Sequence, residues 1–172
     1  MTRVLYAPWR IEYVLGKKRQ SQCIFCIPSA AEGDREALIV HRAEGAFTMM
    51  NRYPYTNGHV LICPHRHVSD ICDLSPEENS LLIQEVTRAV QVIRDVMRPS
   101  GFNIGLNIGA DAGAGIDEHL HYHVVPRWKG DTNMMPVVAD VRIIPEDLSS
   151  SCAKLRDAFM RLFPDMDQGV RS

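Results

Sequence analysis

The chain has 172 residues, of which 45% are apolar, 23% charged and 7% aromatic. A chain of this length buries about 70% of its unfolded surface, so a single domain with its own core is expected. The 19 basic and 21 acidic side chains give a formal charge of −2. This balance excludes a strongly basic protein that coats nucleic acid, and the few aromatic residues argue against a base-stacking platform.

The chain shows no membrane or export signal. No stretch approaches the roughly 20 apolar residues that span a bilayer, and the first residues lack the apolar core of a signal peptide. We therefore expect a soluble, cytoplasmic protein that binds neither membranes nor nucleic acids. An odd number of cysteines in such a chain does not predict a disulfide framework. The five are Cys23, Cys26, Cys63, Cys72 and Cys152.

The expected strands come first in chain order. Residues 1–36 are irregular, apart from a short helical stretch at 9–15. Apolar runs bounded by turn-forming residues then predict strands at 38–41, 46–50, 59–63, 102–108 and 120–125. Pro64 and Pro126 are expected to end the third and the last of these strands.

Two helices are expected. Ser75 is a good N-cap, Pro76 suits the first helical position and Glu78 completes a capping box. Apolar residues then recur at helical spacing as far as Met97, and a second amphipathic pattern covers 150–163. Because the expected strands outnumber the helices, the sequence predicts an α+β fold with a mainly antiparallel sheet, one long central helix and a C-terminal helix.

Three of the seven histidines alternate along the last expected strand, as His119, His121 and His123. Alternate side chains of a strand share a face, so the three imidazoles would lie on one side, about 6.6 Å apart along the strand. Three interpretations follow: a histidine-rich, half-exposed strand, an open metal site built by the three, and a nucleophilic imidazole supported by its neighbours. The residues between them would face the core: Leu120, Tyr122 and Val124.

A loop rich in glycine and alanine lies just before these histidines, at 109–115, after Asn107. Small residues let backbone N–H groups approach an anion closely. The loop has neither a Walker-type lysine–serine pair nor a dinucleotide fingerprint, so it is a weak signal that gains value from its position.

The Cys23 and Cys26 pair forms a C-x-x-C motif. Two thiolates at this spacing suit tetrahedral zinc, which His65, His67 or one of the strand histidines could complete. A closed shell of this kind is structural, because no ligand position stays open. The alternatives are two ordinary cysteines and a redox pair, although no strand-to-helix context accompanies the motif.

Together these motifs resemble the histidine triad (HIT) family of nucleotide hydrolases and transferases. Residues 119–125 fit its hallmark of three histidines alternating with apolar residues, 51–64 resemble its nucleotide-binding strand and turn, and 23–26 match its zinc-bearing branch. The resemblance runs from Cys23 to Trp128. Residues 6–10 and 125–128 look most like the branch that contains diadenosine tetraphosphate phosphorylases.

The resemblance implies a role for each of four histidines as catalytic residues. His121 would attack the α-phosphorus and form a nucleotidyl-histidine intermediate. His123 would hydrogen-bond the phosphate or bridging oxygens. His59 and His119 would complete the histidine cluster that supports the nucleophile. Water as the second acceptor would make a hydrolase, and inorganic phosphate would make a phosphorylase.

Binding and metal residues follow from the same resemblance. Asn51 would hold the ribose, and Asn107 with the loop residues Gly113, Ala114 and Gly115 would hold the α-phosphate. Many family members carry a polar side chain in this loop, where this chain has alanine, glycine and isoleucine, and the spacing to the first histidine is one residue longer. The zinc ligands would be Cys23, Cys26, His67 and His119, which leaves His65 as an exposed residue at the rim.

The resemblance further implies a HIT-like domain over 1–172, with a core at 23–128, an N-terminal arm at 1–22, a C-terminal extension at 129–172 and pairing into a homodimer. The substrates would contain AMP, as dinucleoside polyphosphates or nucleoside phosphoramidates do, and magnesium could accompany a polyphosphate. Two alternatives stay open: a nucleotide-binding sensor or scaffold without turnover, and a metallohydrolase built on the three strand histidines.

Overall fold

The computed structural model describes residues 23–27, 33–131 and 144–164. The helix expected at 9–15 and the N-terminal arm at 1–22 lie outside these ranges. The elements within them are β1 (Ile39–Arg42), β2 (Ala46–Met50), β3 (Val60–Pro64), α1 (Pro76–Met97), β4 (Gly101–Leu106), β5 (Tyr122–Arg127) and α2 (Leu148–Leu162).

The five strands form one sheet in the order β1-β2-β3-β5-β4, and every neighbouring pair is antiparallel. The expected α+β fold is therefore confirmed. The register pairs Leu61 with His123 and Gly105 with His123 on the two sides of β5. This arrangement places β5, which carries the end of the histidine motif, between β3 and the edge strand β4.

Helix α1 begins as the sequence predicts. The Ser75 side chain accepts a hydrogen bond from the Glu78 N–H, and the Glu78 carboxylate accepts one from the Ser75 N–H, so the capping box is complete. The helix ends where Arg98 takes a left-handed conformation, with φ at 49°. Its buried stripe packs on one face of the sheet, and α2 packs against both α1 and β1.

The two faces of the sheet carry different clusters. The face under the helices holds the main apolar core, which includes Val124 and Leu120 from the histidine motif. The opposite face carries a second cluster, with Phe25, Phe47 and Leu61 among its members. None of the helices in the described ranges is both long and apolar enough to cross a bilayer.

Four of the five strands, β1, β3, β4 and β5, differ from the expected bounds by one or two residues at each end. Strand β3 also includes Pro64, which was expected to end it. Strand β5 starts at Tyr122 rather than at residue 120 and continues through Pro126. Its pairing with β3 ends at Val124, while its pairing with β4 continues to Arg127. Pro126 is tolerated because a proline lacks only the N–H donor, and no β3 residue stands opposite it to need one.

The structure contains a buried polar cluster that no sequence pattern predicted. Glu85 lies in the apolar stripe of α1, and its carboxylate accepts hydrogen bonds from His41 Nδ1 at 2.7 Å and the Thr48 hydroxyl at 2.6 Å. Burial raises the pKa of Glu85, but the bonds from His41, Thr48 and Arg88 outweigh burial and lower it below its usual range. This ionised carboxylate ties α1 to β1 and β2.

Candidate active site and metal cluster

The three histidines of the motif lie on the face of the sheet that the helices leave open, although only His123 belongs to β5 itself. Leu120 and Val124 are buried on the other side, as the alternation predicts. The rings of His121 and His123 lie 5.0 Å apart between centroids. Phe25 packs beside the motif, 5.5 Å from the His119 ring and 5.0 Å from the His121 ring.

His121 is held in a defined tautomer. Its Nδ1 lies 2.8 Å from the backbone carbonyl of His119, and a carbonyl can only accept, so Nδ1 carries the proton. Burial lowers the pKa of His121 below the usual value, which favours the neutral ring at neutral pH. The Nε2 atom therefore keeps its lone pair, which is the requirement for a nucleophilic imidazole.

His123 is part of a chain of hydrogen bonds that fixes the opposite tautomer. The Tyr55 backbone N–H donates to His59 Nδ1 at 3.1 Å, so the proton of His59 is on Nε2. His59 Nε2 lies 3.0 Å from His123 Nδ1 and donates to it. His123 consequently carries its own proton on Nε2.

The last donor in this series of hydrogen bonds is His123 Nε2. His123 Nε2 is buried and has no hydrogen-bond partner among the described residues. Desolvation, followed by the proximity of His121, lowers the pKa of His123 to about 4, so the ring is neutral at neutral pH. A buried N–H group without a partner is rare and points to a ligand that would accept its hydrogen bond.

Asn51 lies beside His59, and Asn107 contacts the glycine loop. The Asn51 side chain contacts His59 Nδ1 at 3.3 Å, and its Oδ1 accepts from the Tyr53 N–H at 2.9 Å. Asn107 Nδ2 lies 3.5 Å from the carbonyl of Gly113, which closes the base of the loop. The loop contains a short 3-10 turn, and Gly113 has a φ of 86°, a conformation that glycine adopts without strain.

A metal-ligand cluster lies beside the histidine motif, and its possible ligand atoms all lie within 4.8 Å of one another. Its members are Cys23, Cys26, His67 and His119. Individual distances are 3.5 Å from Cys23 Sγ to His119 Nδ1 and 3.2 Å from Cys26 Sγ to His67 Nδ1. Zinc lies about 2.0–2.3 Å from nitrogen and sulfur ligands, so ligand atoms of a tetrahedral site are roughly 3.3–3.8 Å apart. The four side chains therefore fit zinc.

The tautomer of His119 agrees with this fit. His119 Nε2 lies 3.0 Å from the carbonyl of Pro64 and donates to it, which leaves the lone pair of Nδ1 directed at the two thiols. Desolvation and the neighbouring Cys23 raise the pKa of Cys26. A bound cation would offset both effects, because it favours the thiolate.

His119 belongs both to the metal-ligand cluster and to the histidine motif. Its ring faces the cysteines, while its backbone carbonyl orients His121. The three histidines of the motif therefore do not surround one ion in the described part of the chain, which is evidence against the open three-histidine metal site. His65 is exposed, as expected, and bonds to the Ala43 carbonyl at 3.0 Å rather than joining the cysteines.

Comparison with known proteins identifies relatives of this chain. Residues 32–130 match the family profile of the HIT domain. A protein of Mycobacterium tuberculosis named AP-4-A phosphorylase is 43% identical over 113 residues, which is 66% of this chain and 58% of that protein. An asymmetrical bis(5'-nucleosyl)-tetraphosphatase of Schizosaccharomyces pombe is 38% identical over 93 residues, which is 54% of this chain and 50% of that protein.

A solved structure has a fold similar to that of this chain. It is a zinc-bound histidine triad family protein from Mycobacterium smegmatis, with a TM-score of 0.66 and 30% identity, covering 82% of this chain and 95% of that one. The chain spans only about half the length of the two curated enzymes it matches. The family profile covers more than half of the chain, and the chain therefore belongs to the HIT domain family, the histidine triad proteins.

Proposed function

We propose that the chain is a nucleotidyl hydrolase or transferase that attacks the α-phosphate of dinucleoside polyphosphates or nucleoside phosphoramidates. One observation carries the proposal: a lone pair on His121 Nε2 lies beside a proton donor on His123 Nε2, and hydrogen bonds within the protein hold both tautomers. The enzyme names of the two curated relatives support the same class of substrate.

The first step of the proposed reaction is an in-line displacement. His121 Nε2 attacks the α-phosphorus and forms a phosphorus–nitrogen bond, while the bond from phosphorus to the leaving group breaks. The leaving group takes the electron pair of that bond and the proton of His123 Nε2. The His121 ring becomes cationic when its Nε2 bonds to phosphorus, and this charge offsets the negative charge left on His123, whose ring centroid is 5.0 Å away. This geometry separates nucleophile and acid onto two residues. Strand β5 holds His123, and the hydrogen bond to the His119 carbonyl holds His121, which favours both displacement and proton transfer.

The second step reverses the roles. Water or inorganic phosphate attacks the phosphorus of the nucleotidyl-histidine, the phosphorus–nitrogen bond breaks, and His123 Nε2 recovers a proton from the acceptor. His121 leaves as a neutral imidazole, ready for another cycle. Hydrolysis and phosphorolysis therefore use the same residues and differ only in the acceptor, a difference suited to a direct test.

Binding of the nucleotide is assigned in the same proposal. Asn51 would hold the ribose hydroxyls, and Asn107 with the backbone of 113–115 would hold the α-phosphate. Gly113, Ala114 and Gly115 offer only backbone donors there, because their side chains are absent or apolar. His59 acts on substrate through His123 and is a positioning residue.

Zinc held by Cys23, Cys26, His67 and His119 would be structural, since four protein ligands leave no position open for substrate. It would fasten the segment around the cysteines to the sheet and fix the His119 backbone. Magnesium finds no support in the described residues, where these four side chains form the metal-ligand cluster. A homodimer, a cytoplasmic location and a single domain with its core at 23–128 complete the proposal.

Product analysis with diadenosine tetraphosphate tests the function directly. ADP and ATP formed only when inorganic phosphate is present would establish a phosphorylase, and AMP and ATP formed without phosphate would establish an asymmetric hydrolase. His121→Ala should abolish turnover while AMP binding persists. AMP binding without turnover of the tetraphosphate or of adenosine phosphoramidate would instead establish the sensor alternative.

A further inference from the structure

The turn at 51–58, between β2 and β3, carries the backbone donor that orients His59. This donor is the Tyr55 N–H, which lies 3.1 Å from His59 Nδ1, on a residue that is 45% exposed. The backbone of the turn is closed by hydrogen bonds from the Asn51 N–H to the His59 carbonyl at 3.0 Å and from the His59 N–H to the Thr56 carbonyl at 3.3 Å. Because the turn lies at the surface, the place of the Tyr55 N–H depends on what else holds the turn.

A polar network from the C-terminal segment, 146–154, reaches this turn through Asn57. Asn57 Nδ2 donates to the Glu146 carboxylate at 3.3 Å, and Asn57 Oδ1 lies 3.0 Å from the Ser151 hydroxyl. That hydroxyl shares its proton with Glu146, at 2.7 Å, and the Lys154 ammonium contacts the same carboxylate. Hydrogen bonds from Lys154, Ser151 and Asn57 lower the pKa of Glu146, so this carboxylate is ionised at neutral pH.

The partners of Asn57 are themselves held in place. Ser151 is completely buried and lies in the first turn of α2, where the N-cap Asp147 accepts a hydrogen bond from the Ser150 N–H at 3.1 Å. Glu146 comes directly before this N-cap. A buried hydroxyl costs free energy unless it has a partner, so Ser151 favours the arrangement in which it contacts both Asn57 and Glu146.

The neighbours of Asn57 attach the turn to other elements. The Thr56 hydroxyl donates to the Pro126 carbonyl at 2.8 Å, and Gly58 lies so close to the end of α1 that an added Cβ would clash with Met97 Sδ. These contacts fasten the turn to β5 and α1, while Asn57 fastens it to α2. Loss of the Asn57 contacts should therefore displace the middle of the turn without unfolding the protein.

We propose that Asn57 is a positioning residue, through which the C-terminal segment determines which nitrogen of His123 carries the proton. The inference rests on the proposed function, in which His123 Nε2 is the proton donor. The matched family profile ends at residue 130, so this influence comes from a part of the chain outside the profile.

The direction of the hydrogen-bond chain explains the effect. While the Tyr55 N–H donates to His59 Nδ1, the proton of His59 is on Nε2, and His123 keeps its own proton on Nε2. When that N–H moves away, His59 can carry its proton on Nδ1 instead. His123 then donates from Nδ1 to His59 Nε2, and its own Nε2 has no proton for a leaving group.

The first test determines the tautomers by NMR and requires no turnover. With isotope-labelled histidine, long-range proton–nitrogen correlations distinguish a protonated ring nitrogen from one with a lone pair. We expect His123 in the unchanged protein to carry its proton on Nε2. In Asn57→Ala the two ring nitrogens of His123 should shift towards each other, as in a mixture of tautomers. Asn79→Ala, the same change near the start of α1, is the matched control and should leave both nitrogens in place.

A second variant changes the network from its C-terminal side. Ser151→Ala removes the buried hydroxyl that contacts Asn57 and Glu146, and it should shift the His123 nitrogens in the same direction as Asn57→Ala. Ser150→Ala, at the adjacent exposed position, should leave the nitrogens unchanged. Thermal unfolding verifies that each variant is folded.

Turnover provides an independent measurement. Asn57→Ala should lower kcat for adenosine phosphoramidate roughly two- to fivefold, a moderate loss because Asn51 Nδ2 still lies 3.3 Å from His59 Nδ1. KM should stay unchanged, and so should the rate with the nitrophenyl ester of AMP, whose leaving group departs without a proton. Combined with His59→Ala, the change should cost nothing more than His59→Ala alone, since both act through the same hydrogen bond.

The inference and the proposed function fail on different results. Tautomers of His123 that stay the same in both Asn57→Ala and Ser151→Ala would overturn the inference, as would a proton on His123 Nδ1 in the unchanged protein. An equal loss of kcat with phosphoramidate and nitrophenyl ester, or an additive loss in the double variant, would also overturn it. Absence of turnover in the unchanged protein would contradict the proposed function, and the NMR comparison would then decide the inference.

Discussion

Replacing His59 by alanine provides a direct test of the hydrogen-bond chain that prepares His123. The Tyr55 N–H holds the His59 tautomer, and His59 in turn donates to His123 Nδ1 at 3.0 Å. Without His59, the neutral His123 ring can place its proton on either nitrogen. The fraction with the proton on Nε2, where the leaving group can take it, should fall.

The expected loss is moderate. A hydrogen bond between neutral groups contributes about 0.5–1.5 kcal/mol. Since about 1.4 kcal/mol corresponds to a tenfold change, His59→Ala should lower kcat by roughly two- to tenfold through the tautomer alone. His123→Ala removes the acid itself and should cost about 10²–10⁴-fold, the usual range for general acid catalysis. The two variants should therefore differ by at least an order of magnitude.

The assay compares two leaving groups on AMP. An amine leaves only with a proton, whereas nitrophenolate leaves unprotonated at neutral pH, so His59→Ala should slow the phosphoramidate and spare the nitrophenyl ester. His59→Gln is the matched control, because its amide N–H can donate to His123 and should restore part of the rate. Thermal unfolding and AMP binding verify that each variant is folded. An equal loss with both substrates would refute the proton-donor argument.

Further predictions concern metal, core and pH. Cys26→Ser should abolish stoichiometric zinc, measured by atomic emission, and lower both Tm and kcat, because His119 would be a zinc ligand and also orients His121. An unchanged Tm with zinc lost would contradict the proposed structural role. Glu85→Ala should lower the free energy of unfolding by about 3–5 kcal/mol in urea denaturation, because it leaves the buried side chains of His41 and Thr48 without their hydrogen-bond acceptor. Gln91→Ala, at an exposed position of the same helix, should change this free energy by less than about 0.5 kcal/mol. The pKa of His123 is lowered to about 4, so the unfolded chain binds more protons below about pH 6.5, and stability should fall as pH drops from there towards 4. A His123→Asn variant should show a smaller slope in this window, and an identical slope would count against the shifted pKa.

Local rules account for the parts of the fold that the sequence predicts. The capping box at Ser75 and Glu78 depends on residues within one turn, and it is formed as expected. Strand β2 coincides with the expected 46–50. The alternation around His121 holds as well, since Leu120 and Val124 are both buried in the core under the helices although β5 begins only at Tyr122. The end of β5 could not be placed from the sequence, because a strand accepts Pro126 or not according to which neighbour lies opposite it.

The grouping of the metal ligands was predicted in part. The two cysteines are close in sequence, and their spacing alone indicates a metal site. The spacing of cysteines and histidines along the sequence did not distinguish His65 from His67 as the third ligand. The resemblance to the histidine triad family was needed to select His67. The structure brings His67 to 3.2 Å from Cys26 Sγ, while His65 turns to the Ala43 carbonyl.

Residue types and short spacings by themselves determined the order of the strands and helices, the common face of the histidines and the two cysteines of the candidate metal cluster. The tertiary structure decided the tautomers of His121 and His123, the burial of Glu85 beneath β1 and β2, and the hydrogen bond between Asn57 and Glu146. Each of these depends on which atoms from distant parts of the chain come within about 3–4 Å of one another. Strand register and helix packing set those distances, and no local pattern in the chain specifies them.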